Sequence, residues 1–384
     1  MILLFWTLLG LIIYCYFGYP LVISLLSKFF PKPVHTSAIF PSVSVVIAAH
    51  NEEDVIKAKL DNLRALDYPG EKIEILIGSD ASTDRTNQIL QGYQDPRVRV
   101  FIHEHRWGKM RTVSELVAQA QNEIIFFNDA RQQLDADALK NLVRNFADPS
   151  VGCVSGELLF VKPDGVTARG VNLYWEYEKF IRSHEAQVHS MLGATGAVYA
   201  IRRSLFVPGP PEVVLDDMFT PFKIIEKGYR AIFDGTAHAY DKAAHSATEE
   251  YRRKARTLYG NYQIFSLFPG LFNPLQSPIA MQLFSHKLLR VLVPFFMIVL
   301  LPLNFMLIDD GLYKSIFGLQ LLFYAAAFIG SLARGQKYGI LKPISKLCYV
   351  PYVFCLLNFA ALAGFYRFIG AKQDIAWQKA RKQS

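Results

Sequence analysis

Val43-Ser44-Val45-Val46-Ile47-Ala48-Ala49, followed at once by His50-Asn51-Glu52-Glu53, is the stretch that decides the fold. The β-branched run reads as a strand that ends in a polar cluster. A helical pattern follows, with Val55, Ile56, Leu60, Leu63 and Leu66 spaced at three and four, and closes near Tyr68-Pro69-Gly70. The same unit then recurs. Ile73 to Ile77 breaks into Gly78-Ser79-Asp80-Ala81-Ser82-Thr83-Asp84, a helix passes through Ile89 and Leu90, and Val98 to Ile102 forms a third strand. The turn Arg106-Trp107-Gly108-Lys109 opens a helix through Val113, Leu116 and Val117, and the strand Ile124 to Phe127 stops at Asn128-Asp129-Ala130-Arg131. This alternation predicts an α/β fold with a doubly wound, mostly parallel sheet.

Strand ends in such a sheet share one edge, where open α/β sheets take their ligands. His50-Asn51-Glu52, Asp80 to Asp84 and Asn128-Asp129 all fall there. Ordinary turn chemistry is the alternative for any one of them. Asp129 beside a diphosphate suits Mg²⁺ or Mn²⁺, hard cations that bind one or two carboxylates plus phosphate oxygens. Asp80 is placed for a ligand, whereas Ser82 or Thr83 reads as a helix N-cap. Lys109, following a glycine, is either a cation for phosphate or a solvated surface lysine.

Farther on, Leu215-Asp216-Asp217-Met218 sets two acids ahead of a helical segment, Phe219 to Lys227. They either complement the helix dipole or include a base that takes a proton from an attacking hydroxyl. Gly193-Ala194-Thr195-Gly196-Ala197 precedes a strand, Val198 to Ile201, with residues small enough for a ligand to approach the backbone. Arg252-Arg253-Lys254-Ala255-Arg256 is a cationic cluster that faces a membrane or holds a leaving diphosphate.

The chain has 384 residues, is 52% hydrophobic and has a mean hydropathy of +0.19, too apolar for an ordinary soluble enzyme. Met1 to Ser27 carries no charge and no signal-peptide n-region, which reads as a retained anchor. Leu288–Ile308, Ser315–Ala333 and Leu347–Tyr366 are three further spans. The organisation expected is an anchor over 1–27, an α/β domain over 38–261, interfacial helices over 262–285, a membrane region over 286–368 and a basic tail over 369–384. The formal charge of +8 gathers beside the spans, at Lys28, Lys32, Lys287, Arg290, Arg334, Lys337, Lys342 and Lys346. That is a membrane pattern, with the α/β domain cytoplasmic, and not a nucleic-acid footprint. The basic tail argues for the same side, which an odd number of late spans does not deliver. The cysteines show no metal or disulfide spacing.

Taken together, these motifs make the chain resemble the membrane-bound family 2 glycosyltransferases, the group of the cellulose, chitin, hyaluronan and poly-N-acetylglucosamine synthases. The resemblance spans about Pro41 to Gln263, and the anchor and late helices extend it over the chain. It implies a GT-A fold, a Rossmann-like nucleotide-sugar domain, and transfer with inversion from a nucleotide-sugar, UDP-linked, to a lipid or glycan acceptor at the inner or plasma membrane. By resemblance, His50, Asn51, Glu52 and the Asp80 loop line the nucleoside. Asp129 resembles the first acid of the DxD metal motif, and Asp217, beside Asp216, the base of the ED motif. Thr195-Gly196 is similar to the acceptor-side loop. Arg253 to Gly260, with Arg256, resembles the QRxRW segment that contacts the diphosphate. The chain departs from the family where Arg131 replaces the second DxD acid and where Arg253 and Thr257 replace the Gln and Trp of QRxRW. Arg131 is left to bind phosphate or to pair with Asp135. A processive polysaccharide synthase, or a non-catalytic subunit that binds nucleotide-sugar, is the alternative reading.

Overall fold

The computed structural model describes residues 1–161, 169–242, 247–332 and 342–370. Arg334, Lys337 and the cations of the tail from Lys372 onward lie outside the described residues. Two compact units emerge, one holding Val22–His245 with Ile264–Met281, the other Met1–Leu21, Ser246–Gln263 and Gln282–Gln373.

The first unit is built on one sheet of eight strands: β1 (Val43–Ala49), β2 (Ile73–Asp80), β3 (Val98–His103), β4 (Ile124–Phe127), β5 (Gln133–Leu134), β6 (Val151–Val161), β7 (Tyr199–Arg202) and β8 (Arg230–Lys242). Their order is β3-β2-β1-β4-β7-β6-β8-β5. β3, β2, β1 and β4 run parallel, as the alternation of strands and helices requires. β7 then pairs antiparallel with both β4 and β6, and β8 runs parallel to β6, so the sheet is mixed in its second half. Every residue of β1 is buried. Val43, Val45 and Ile47 pack into one core with Ile56, Leu60 and Leu63 of the helix Ile56–Arg64. On the helix Lys109–Gln119, Met110, Val113, Leu116 and Val117 are buried as well. Helices cover both faces of a parallel sheet, which is why its strands carry apolar residues in unbroken runs.

The helix expected over Phe219–Lys227 runs instead from Asp216 to Glu226. Asp216 and Asp217 therefore sit inside its first turn rather than ahead of it, where carboxylates meet the positive end of the helix. The N-cap expected at Ser82 or Thr83 is also corrected. Arg85 is the N-cap of the helix Thr86–Gly92, and Asp84 just before it accepts from the Thr86 backbone N–H through Oδ1 at 2.9 Å.

Among the described residues, four helices are long and apolar enough to cross a membrane, Ile2–Phe29, Ala280–Phe305, Gly311–Leu332 and Leu347–Ile369, most of their length lying in the second unit. Phe5 and Leu8 pack with Leu300, Leu303 and Tyr313, and Cys15 with Leu289 and Val293. Two π-helical turns, Tyr14–Gly18 and Leu283–Leu288, are joined by a 2.9 Å hydrogen bond between Tyr14 Oη and Ser285 Oγ. All four cysteines are free thiols.

Register shifts on β6 bracket Gly152 and Gly156, where the strand bulges against β8. A Cβ on Gly156 would stand 2.3 Å from the Ala237 carbonyl oxygen, which has no freedom to move aside. Gly156→Ala is expected to cost roughly 1–3 kcal/mol. That corresponds to a fall of roughly 2–12 °C in the melting temperature of this unit, measured by thermal unfolding.

Candidate active site

The loops after β1 and β2 are laced together by side chains. His50 Nδ1 lies 2.7 Å from the Asp80 carbonyl oxygen, and Asn51 Oδ1 accepts from the Thr83 N–H at 2.7 Å. The Asn51 and Glu52 N–H groups donate to Ser82 Oγ and Thr86 Oγ1 at 3.1 and 2.8 Å. Asn51 and Ala81 hold φ values of 54° and 52°. This left-handed region is uncommon for non-glycine residues, although asparagine enters it more readily than most. Two turns held in it by cross-loop bonds form a fixed rim at the sheet's ligand edge.

Asp80, the last residue of β2, is fully buried and both its oxygens are in use. Oδ1 accepts from the Trp107 N–H at 2.6 Å and Oδ2 from the Gly108 N–H at 3.1 Å, with Arg106 Nε 3.9 Å away. The carboxylate expected to meet a ligand directly thus pins the turn Arg106–Gly108. Gly108, at φ 83°, makes that turn and sets Lys109 as the first residue of its helix.

Lys109 Nζ stands 3.0 Å from Asp129 Oδ1 and 3.2 Å from Asp216 Oδ2. It is no solvated surface lysine. Burial works against its charge, but Asp129, Asp216 and Asp217 more than offset that and hold its pKa above the usual lysine range. Asp217 is raised too, which for an acid disfavours its charge. Burial and the neighbouring Asp216 raise it to about 6, against the opposing pull of Lys109 and Arg182. Thr195-Gly196 closes the cluster. The Ala194 N–H donates to the Asp217 carbonyl oxygen at 2.7 Å, and a Cβ on Gly196 would lie 3.3 Å from Asp217 Oδ2. A side chain at 196 would press on that carboxylate.

The structure therefore brings Lys109, Asp129, Asp216, Asp217, Thr195 and Gly196 together, with His50, Asn51, Glu52 and Asp80 on the rim beside them. Arg253 and Arg256 lie on the helix Ala247–Leu267, in the stretch Ser246–Gln263 that belongs to the unit of the apolar helices. Arg131 is corrected. Its Nε faces Glu52 Oε1 at 3.9 Å, while Asp135 is engaged by His238 Nδ1 and Tyr240 Oη, each at 3.0 Å. Arg182 was not anticipated. Its Nη1 donates to Thr195 Oγ1 at 2.6 Å and its charge favours ionised Asp217. It stands in mid-helix, thirteen residues before Thr195, with no motif to mark it.

Among the described residues, no group of three or more His, Cys, Asp or Glu side chains is gathered to hold a metal. The donors that converge are hard oxygens, from Asp129 and Asp216. The three carboxylates meet the Lys109 ammonium there, with Arg182 acting on Asp217 and Lys59 on Asp129. The oxygen donors fit an oxygen-loving divalent ion that draws its remaining ligands from phosphate.

Residues 44–207 match the family model described as Glycosyl transferase family 2. That match spans less than half of the chain, and the fold of the unit is the GT-A architecture expected. Over 119 residues it is 37% identical to beta-monoglucosyldiacylglycerol synthase of Synechocystis sp., covering 30% of this chain and 25% of that protein. Over 232 residues it is 23% identical to poly-beta-1,6-N-acetyl-D-glucosamine synthase of Staphylococcus aureus, covering 58% of this chain and 55% of the relative. The chain thus spans between a quarter and about half the length of these relatives. A mannosyltransferase of Pyrobaculum calidifontis, solved in complex with GDP-Man and Mn²⁺, superposes with a TM-score of 0.71 at 22% identity, over 96% of this chain and 100% of that one.

Removing the ammonium leaves the acids repelling one another. Lys109→Met is expected to destabilise the α/β unit by roughly 3–5 kcal/mol at pH 8. Without the lowering pull of Lys109, the folded pKa of Asp217 rises further above its unfolded value, so its share of the loss is full at high pH and shrinks as pH falls through the raised value. Denaturant melts at pH 8 and pH 5 measure the difference.

Proposed function

We propose that this chain is an integral membrane glycosyltransferase that moves a sugar, with inversion, from a nucleotide-sugar to a hydroxyl of a lipid or glycan acceptor. The observation that carries the reading is Asp217. It is a carboxylate with a raised pKa, beside Gly196 and next to a lysine held between two further acids at the ligand edge of a parallel sheet.

In one displacement, Asp217 accepts the proton of the acceptor hydroxyl while that oxygen bonds to the anomeric carbon. The bond from this carbon to the diphosphate oxygen breaks, and its electron pair leaves with the nucleoside diphosphate. Attack from the face opposite the leaving group inverts the centre. Lys109 supplies a cation to the diphosphate charge as it develops, and the loops at His50–Glu52 and Asp80 border the nucleoside. Asp129, with Asp216, would hold Mg²⁺ or Mn²⁺, which supplies charge neutralisation to the diphosphate when bound. The four apolar helices support a seat in the inner or plasma membrane. Basic residues flanking the spans support a cytoplasmic face for the α/β unit, where nucleotide-sugars are available.

Membranes containing the full chain, incubated with a panel of UDP- and GDP-sugars, are expected to show chelator-sensitive transfer. Asp217→Asn should reduce turnover by at least about a thousandfold while the nucleotide still binds. Near-normal turnover by this variant overturns the assignment of the base. Because Asp217 must be ionised to accept a proton and its pKa is about 6, kcat/KM should rise with pH through about 6 and then level off. A profile flat down to pH 5 assigns the base elsewhere.

A further inference from the structure

Beside the charged cluster, the α/β unit has a small groove that opens to solvent. One wall is the helix Arg169–Val188, which contributes Trp175, Lys179 and Arg182; the other holds Glu157 of β6, Phe233 of β8, and Thr195. Trp175 rests against Phe160, ring centroids 5.2 Å apart, and the Arg182 guanidinium lies 5.9 Å from the centre of the Phe233 ring. Lys179 Nζ meets Glu157 Oε1 at 3.0 Å.

This lining selects its ligand by elimination. A purely apolar molecule would strip water from Glu157, Lys179 and Arg182 and return nothing. An anion would meet Glu157, with Glu176 and Glu178 also on the walls. A neutral ring with C–H groups on its faces and hydroxyls on its rim satisfies both kinds of wall. Its faces lie on the aromatic rings, and its hydroxyls reach the carboxylate and the cations. Thr195 ties the groove to the chemistry. It takes the Arg182 hydrogen bond at 2.6 Å, and its neighbour Gly196 stands where a Cβ would lie 3.3 Å from Asp217 Oδ2.

We propose that this groove is the acceptor subsite and that the acceptor presents a neutral sugar ring there, with Trp175 as its platform and Glu157 as its hydroxyl acceptor. The proposal rests on the transferase reading and narrows its acceptor to one that already carries a sugar, whether a free glycan or the headgroup of a glycolipid.

The test uses the full chain in phosphatidylglycerol nanodiscs. Methyl β-glycosides of glucose, galactose, mannose and N-acetylglucosamine serve as probes, read by saturation-transfer NMR. At least one should bind, and Trp175→Ala should weaken it by about tenfold or more, with Glu157→Gln weakening it in the same direction. UDP and GDP affinities are measured alongside and should not change, which reports that each variant is folded. If Trp175→Ala loses nucleotide binding as well, Glu157→Gln carries the test. Repeating the titration with monoglucosyl diacylglycerol in the disc separates the two sources. Displacement of the soluble probe identifies a lipid-borne ring, and undiminished binding a free glycan. The proposal is overturned if no glycoside binds the unaltered chain, or if the variants that still bind nucleotide bind glycoside as tightly as it does. Failure of the transferase reading looks different, since the unaltered chain would then neither bind nor cleave any nucleotide-sugar whatever the glycosides do.

Discussion

The ammonium of Lys109, held between the carboxylates of Asp129 and Asp216, is the interaction on which the site depends. Its three residues come from the start of one helix, the end of β4 and the start of another helix, so the bond closes only when the sheet and both its flanking layers are in place. A charge brought into such a position alone would face a desolvation penalty of several kcal/mol. Here the charges meet in one contact, while burial, with Asp216 beside it, raises Asp217. The cluster is a tie within the fold and, on the proposed mechanism, the electrostatic setting of the reaction.

Its placement is arranged from farther out. Asp80 receives the N–H groups of Trp107 and Gly108 and so fixes where the helix bearing Lys109 begins. Gly196 lets the loop before β7 lie against Asp217. Arg182 reaches the same loop from the helix Arg169–Val188 through Thr195. None of these three carries the charge that the diphosphate would meet. They decide where that charge stands.

The parallel half of the sheet was legible because its strands are buried on both faces and therefore apolar throughout. The bounds of β1 and β4 follow directly from those runs. The mixed half was harder to read. β6 bulges twice and β5 is only two residues long, so neither leaves a clean periodic pattern. The site acids were visible as polar residues at strand ends, but their partners were not. A sequence shows that Asp80 is charged without showing that two backbone N–H groups already occupy it. It shows Arg131 in the place of an acid without showing that Glu52 is what it faces. Arg182, a single basic residue in mid-helix, gains its meaning only when tertiary packing sets it against Thr195. Short-range pattern reports burial and turns, and long-range charge pairing has no counterpart in it.

Gly196 bears on how such an enzyme can be remodelled. With a would-be Cβ only 3.3 Å from Asp217 Oδ2, even one methyl group would crowd the carboxylate against the space a hydroxyl must enter. The walls farther out along the groove are side chains on a helix and on two strands, and they can change size without touching that carboxylate. Substrate range is therefore free to drift along the outer walls, while the residue facing the proton acceptor stays bare. Evolution or engineering has many positions for choosing what is modified and almost none for altering how the proton leaves.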